Sequence, residues 1–242
     1  MIPAAHPLVG AEERLAVDKV LASGGLAQGP EVEAFEQEFS EAAVQGAQCV
    51  AVNSGTSAQL LAMMAAGIGA GDEVLIPSFT FAATANSVAL TGATPVFVDI
   101  DAETFCMSVS AARVAITEQT KAVMPVHLYG HPADLRSLAN LCEEFNLALI
   151  EDAAQAHLAS IDGRPVGAWG LAGSFSFYPT KQITTGEGGM LITNNKEFAK
   201  GMTNYSSTEC QKVIGKNSEN VEQLLGFKNY DTVVTRDNIV IL

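Results

Sequence analysis

One lysine in this sequence stands apart from the other cations. Lys181 closes the run Ser174-Phe-Ser176-Phe-Tyr-Pro-Thr-Lys181, between an apolar stretch of strand type and a loop ending Gly186-Glu-Gly-Gly189. Lysines normally sit on solvated faces. One placed among small residues beside a core strand is a desolvated amine suited to Schiff-base chemistry with a carbonyl. A carboxylate with a comparable position is Asp152, in Glu151-Asp152-Ala-Ala-Gln155, at the end of another buried run. Such a group is costly to leave charged without a partner. A protonated pyridine nitrogen would satisfy it and turn that ring into an electron sink; the plainer alternative is an aspartate capping the next helix.

Two further segments could hold a ligand. Asn53-Ser-Gly55-Thr56-Ser57 leads straight into a helical stretch. Its small residues let the backbone approach a ligand, and a helix start offers unpaired N–H groups to an anion. A Ser-Gly-Thr turn can equally be a simple helix cap, and the pattern is neither a P-loop nor a Gly-x-Gly-x-x-Gly fingerprint. Pro77-Ser-Phe79-Thr-Phe81 follows a second apolar run. An aromatic there could stack on a flat ring or belong to the core.

The elements that must position these residues follow a regular rhythm. Residues 11–22 are helical in period and stop at Ser23-Gly24-Gly25, and 31–45 form an amphipathic stretch with Phe35 and Phe39 four apart. From Cys49 onward, strand-type runs at 49–52, 73–76, 95–98, 121–126 and 147–150 alternate with helical stretches at 57–67, 80–90, 109–118 and 133–145. Two shorter runs, 173–177 and 189–193, come after residue 150. Alternation of this kind, with strands apolar on both faces, predicts an α/β fold: a mostly parallel, seven-stranded sheet flanked by helices. In such a sheet ligands sit at the carboxyl ends of strands, where all four segments above fall.

The bulk properties exclude several classes. With 242 residues, 48% of them hydrophobic and 17% charged, the chain can bury a substantial core. A net charge of −14 with no basic patch argues against a nucleic-acid surface. Cys49, Cys106, Cys142 and Cys210 are widely spaced, without a Cys-x-x-Cys pair or adjacent histidines. No metal site is expected, and a reducing cytoplasm is the natural reading. The N-terminus has no basic and apolar leader, and no run is long enough to span a bilayer, so a soluble cytoplasmic protein is expected.

Taken together, these segments resemble the sugar aminotransferases of the DegT/DnrJ/EryC1/StrS family, which have the fold of the aspartate aminotransferase group. The matching stretch runs from about Gly24 to Asn194 and includes Asn53-Ser-Gly-Thr56, Ile76-Pro-Ser-Phe-Thr-Phe81, Pro95-Val-Phe-Val-Asp99 and Val126-His-Leu-Tyr-Gly130. It also takes in Ile150-Glu-Asp-Ala-Ala-Gln155 and the Ser174–Lys181 and Gly186–Gly189 segments. The resemblance implies a type I pyridoxal-phosphate (PLP) large domain over 1–195. It implies that Lys181 carries the cofactor as a Schiff base and shuttles a proton, Asp152 pairs with the ring nitrogen, and Gln155 touches the ring's hydroxyl side. Phe79 would stack on the ring, while Gly55, Thr56, Ser57 and Ser176 would hold the phosphate. The implied reaction moves an amino group from glutamate to a nucleotide-linked keto-sugar, in a homodimer. Some relatives carry histidine in place of the lysine and dehydrate their substrate; lysine here favours transamination.

Residues 196–242 match the family poorly and are expected to be an atypical or truncated C-terminal segment. Leu225-Gly-Phe-Lys-Asn-Tyr230 is similar to the family's partner-reaching segment, but Asp231 follows and the usual nearby arginine is absent. The final run from Thr232 reads as a strand. A chain of this make-up is expected to bind PLP weakly and to transaminate poorly. The alternative reading is a non-catalytic PLP-fold binding or regulatory protein, or an inactive aminotransferase.

Overall fold

The structure, a computed structural model, describes residues 5–206. Cys210, the segment Leu225–Tyr230 and the run from Thr232 lie outside the described residues.

Local sequence explains most element boundaries. Helix α1 covers Ala11–Ser23 and ends on Gly24 in the left-handed region, φ 73°. Helix α2 covers Pro30–Ala43, with Pro30 in its first turn, where the missing N–H has no intrahelical partner to lose. Strand β1, Gln48–Val52, runs into helix α3, Gly55–Ala65, capped by the Ser54 side chain, which accepts a bond from Ser57 N–H. Strand β2 (Glu73–Pro77), helix α4 (Ala82–Leu90) and strand β3 (Thr94–Val98) follow. Then come helix α5 (Val109–Ala115) and strand β4 (Thr120–Val123). A single 3-10 turn spans Leu128–Gly130. Helix α6 (Leu135–Phe145) is capped by Asp134 and stops at Asn146, φ 53°. Strand β5 is Ala148–Asp152. A small hairpin, β6 (Ser160–Ile161) with β7 (Arg164–Pro165), precedes β8 (Ala172–Ser176) and β9 (Gly189–Thr193). Helix α7 covers Lys196–Ser206.

The seven long strands form one sheet in the order β1-β9-β8-β5-β4-β2-β3. β9 alone runs against its neighbours; the pairs β2–β3, β2–β4, β4–β5 and β5–β8 are parallel. Each face carries its own core, as a sheet buried on both sides requires. One contains Phe39, Leu135, Leu138, Leu141, Phe175 and Phe177 under α2 and α6. The other contains Ala58, Leu61, Ala62, Met63 and Val88 under α3 and α4. Phe35 and Phe39 meet Phe177 and Phe175 edge-on, both at 5.1 Å between ring centroids, an arrangement favoured by the ring quadrupoles.

The α/β class and the seven strands are as expected; several boundaries move. The run 121–126 ends as a strand at Val123, because Pro125 has no N–H for a ladder. It touches β5 again only through the Val126–Asp152 bridge. The stretch 109–118 ends as a helix at Ala115. The hairpin turn Asp162-Gly163, with φ of 52° and 78°, and helix α7 are additions to the expected elements.

Candidate active site

The carboxyl ends of β1, β2, β5 and β8 lie along one edge of the sheet. The eight residues that the resemblance assigns to the cofactor are carried there: Asp152 and Ser176 by the last positions of β5 and β8, Phe79, Gln155 and Lys181 by the turns that follow β2, β5 and β8, and Gly55, Thr56 and Ser57 by the start of α3.

The β1–α3 junction is built on contact between glycines and main chain. Gly189 opens β9 between Val52 of β1 and Ser176 of β8. A Cβ at Gly189 would overlap the carbonyl of Ser54, and one at Gly55 would come within 2.8 Å of the Ser176 Cβ. The start of α3 is thereby pressed against Ser176. The first N–H groups of a helix have no acceptor inside it. That of Ser57 is taken by Ser54 Oγ at 3.1 Å, which leaves those of Gly55 and Thr56. The Ser57 hydroxyl is engaged by Ser54 Oγ at 3.0 Å, while Ser176 Oγ accepts a long bond, 3.4 Å, from Tyr178 N–H and keeps its own proton to donate. The cap and anion-site readings of this turn are therefore compatible: Ser54 is the cap, and its neighbours stay open.

Asp152 is 4% exposed. Its Oδ2 accepts a bond from Thr84 Oγ1 at 2.9 Å and its Oδ1 from Ala154 N–H at 3.1 Å. Thr84 is in turn 2.8 Å from Thr80 Oγ1. Burial pushes the Asp152 carboxyl above the ordinary aspartate range; the Thr84 and Ala154 bonds, and more weakly the positive charge of Lys181, act the other way. No helix follows Asp152 for it to cap. Phe79 and Phe81 are 45% and 71% exposed, so neither ring is core. Phe79 leans on Phe105 at 6.1 Å, 57° between planes.

Gln155 has its amide orientation fixed, since its Oε1 accepts the N–H of Tyr129 at 2.9 Å. Its Nε2 is the end left to donate. Lys181 is half-buried in the turn after β8, and its main-chain N–H bonds to Tyr178 O at 2.9 Å.

Sequence reasoning missed the supports of these groups. Successive strand residues face opposite sides of a sheet, so Glu151 points away from Asp152 into the other core. There, fully buried, it accepts N–H bonds from Gly167, Trp169 and Gly170 at 2.7–2.8 Å. His127 Nε2 lies 3.1 Å from it. Because His127 Nδ1 accepts the Ala133 N–H at 3.1 Å, its proton must be on Nε2, donated to Glu151. A fully apolar strand ending in two adjacent acids was the available signal, with the glycines at 167, 170 and 173 as the place to look for donors. Thr84, His157 and Gln182 carried no comparable signal.

The sequence pattern of the DegT/DnrJ/EryC1/StrS aminotransferase family matches residues 7–230. The chain is 46% identical over 198 residues to the spore coat polysaccharide biosynthesis protein SpsC of Bacillus subtilis, a match covering 82% of this chain and 51% of that protein. Among solved structures, DesV of S. venezuelae in complex with a ketimine intermediate is 43% identical with a TM-score of 0.78, over 81% of this chain and 53% of that one. DesI, in the presence of its TDP-sugar product, is 35% identical with a TM-score of 0.77, over 83% and 51%. The chain spans about half the length of these relatives.

Proposed function

The chain belongs to the DegT/DnrJ/EryC1/StrS aminotransferase family, and from that premise we propose that it is the cofactor-binding part of a PLP-dependent enzyme that transfers an amino group from glutamate to a nucleotide-linked keto-sugar. The observation that carries this reading is Asp152: a buried carboxylate at a strand end, held by two hydrogen bonds and lacking a full countercharge, beside a half-buried lysine. A cationic ring N–H is the kind of partner it lacks.

When bound, PLP supplies an electron sink for the negative charge left as a proton departs from the carbon bearing the amino group. The chain's own residues do the rest. Lys181 would offer the primary amine that anchors the cofactor, and its Nζ would move the proton between the two reacting carbons. Asp152 accepts from the ring N–H and, being buried, holds that proton in place against water. Gln155 donates from Nε2 to the ring's hydroxyl oxygen, the only end its bond to Tyr129 leaves available. Phe79 presents an open aromatic face for stacking. The N–H groups of Gly55 and Thr56, the hydroxyls of Thr56 and Ser176, and more weakly the engaged hydroxyl of Ser57 bind the phosphate at the helix start.

The substrate class is supported by relatives: one acts in polysaccharide biosynthesis and another was solved with its TDP-sugar product. A homodimer and a cytoplasmic setting belong to the same reading. Cys49, Cys106 and Cys142 form no disulfide within the described residues. Among the described residues no helix is long and apolar enough to cross a membrane and no acidic, His or Cys cluster could hold a metal.

An absorbance spectrum tests the proposal. Adding PLP to the purified chain produces a new visible band from the lysine-bound cofactor, and glutamate then discharges it as the amino group is taken up. A spectrum equal to that of free PLP overturns the cofactor assignment, and a band indifferent to glutamate overturns the transfer reaction in favour of a non-catalytic PLP-binding chain.

A further inference from the structure

The turn that carries Lys181 has little of its own to hold it. Residues 178–188 form neither helix nor strand. The base of the loop is closed by Phe177, whose N–H bonds to Gly188 O and whose carbonyl accepts from Thr185 N–H and Thr184 Oγ1. Nearer the tip, the neighbour of Lys181 reaches across to a different element. Gln182 Nε2 donates to the carbonyl of Gln155 at 2.5 Å, and Gln182 Oε1 lies 2.9 Å from His157 Nδ1. Since the Gln182 amide has committed its N–H to Gln155, its oxygen faces the imidazole, and the proton between them belongs to His157. One amide thus spends both ends on the β5 turn.

His157 is built to be the fixed end of this contact. It is 8% exposed and wedged against the rings of Phe175 and Phe177, 5.3 and 5.5 Å between centroids. Its Nε2 is buried without a hydrogen-bond partner. Burial, chiefly, and the positive charge of Lys181 keep the imidazole neutral by lowering its pKa, against the pull of the Gln182 bond. A neutral imidazole has one N–H, and here Gln182 receives it. The line of bonds continues through Gln155 to Tyr129, which holds φ 53°, an uncommon conformation for a non-glycine residue.

We propose that His157 and Gln182 are a pair of positioning residues that lock the Lys181 turn to the Gln155 turn, so that the two groups flanking the cofactor ring keep a fixed separation. This rests on the reading of Lys181 as the cofactor-bearing lysine. The geometry separates a hydrogen-bonding role from a packing role. His157→Phe keeps a ring between Phe175 and Phe177 but has no donor. His157→Asn keeps an N–H near the Nδ1 position but gives up the ring.

The test is hydrogen–deuterium exchange of the cofactor-free chain over 178–185, together with the visible spectrum after adding PLP. His157→Phe speeds exchange of that segment by roughly 2–10-fold, the worth of one net hydrogen bond, and Gln182→Ala, which gives up the bonds to both His157 and Gln155, speeds it by at least as much. The double variant is no faster than Gln182→Ala alone, and both single variants shift the visible band. His157→Asn stays close to the parent in both measurements. Parent-like exchange in Gln182→Ala, or a parent-like His157→Phe beside a perturbed His157→Asn, overturns the proposal in favour of packing alone. Gln182 is on the surface, so its variant carries the test if His157→Phe does not fold. Exchange needs no cofactor; a parent chain lacking the visible band would sink the cofactor reading while leaving the clamp to be judged on exchange.

Discussion

At the scale of single residues, the account turns on a carboxylate whose surroundings suit it badly until a cation arrives. Burial raises the Asp152 pKa above its unfolded value. The stability this group allows is therefore full at pH below the ordinary aspartate value, and is lost as pH rises toward the folded value. Asp152→Asn removes that loss. Its amide fits the existing bonds, with oxygen toward Ala154 N–H and nitrogen toward Thr84, whose hydroxyl can turn to Thr80. In the cofactor-free chain the variant should melt higher than the parent at pH 7, and the difference should shrink as pH falls and vanish below about pH 4. For a chain of this size each kcal/mol is worth roughly 2–4 °C. With PLP the order reverses, because the neutral amide no longer holds a ring proton and the half-reaction with glutamate slows. A variant that melts lower than the parent at pH 7 and pH 4 alike would show that Asp152 is a structural group. The residues on this edge were legible because each broke a rule of its surroundings: a lysine beside core, an acid at a buried strand end. Glu151 broke the same rule, yet its answer was structural, and only its four donors reveal that. His157 and Gln182 broke none, since a buried histidine and a loop glutamine are ordinary until their partners are known.

At the scale of elements, the edge depends on two glycines where α3 meets the sheet. Any side chain on Gly189 runs into the Ser54 carbonyl, and backbone cannot swing aside as a flexible side chain can. Gly189→Ala should cost about 1–3 kcal/mol, typical of overpacking, and should also weaken PLP binding by tilting the α3 start away from Ser176. Chemical denaturation and a PLP titration measure both; unchanged stability would mean that α3 does not sit as closely as described. Strand positions were readable because continuous apolar runs bounded by turns have few other uses. The misread ends have physical causes. Pro125 stops the β4 ladder inside an apolar run, and Asp162-Gly163 makes a hairpin too short to leave an alternating pattern, although an Asp-Gly pair is itself a turn signal. Helix α7 sets Phe198 and Ala199 against the core cluster under α3 and α4.

At the scale of the whole molecule, the described residues leave several large apolar side chains exposed. Helix α1 buries no residue, and its Leu15, Val17 and Leu21 are all exposed, as are Phe81 and Phe97. Clusters of exposed apolar side chains on a soluble chain mark surfaces that another body covers, and a two-fold copy of the same chain is the commonest such body. Sedimentation at micromolar concentration should therefore show a dimer; monomer alone would contradict it.

Chemical trapping decides whether this edge of the sheet holds PLP through Lys181. The chain is incubated with PLP, reduced with borohydride and digested, and the modified peptide is sequenced by mass spectrometry. One pyridoxyl group is expected, on Lys181. Labelling at Lys121, Lys196 or Lys200 in place of Lys181, or no stoichiometric label at all, would contradict it.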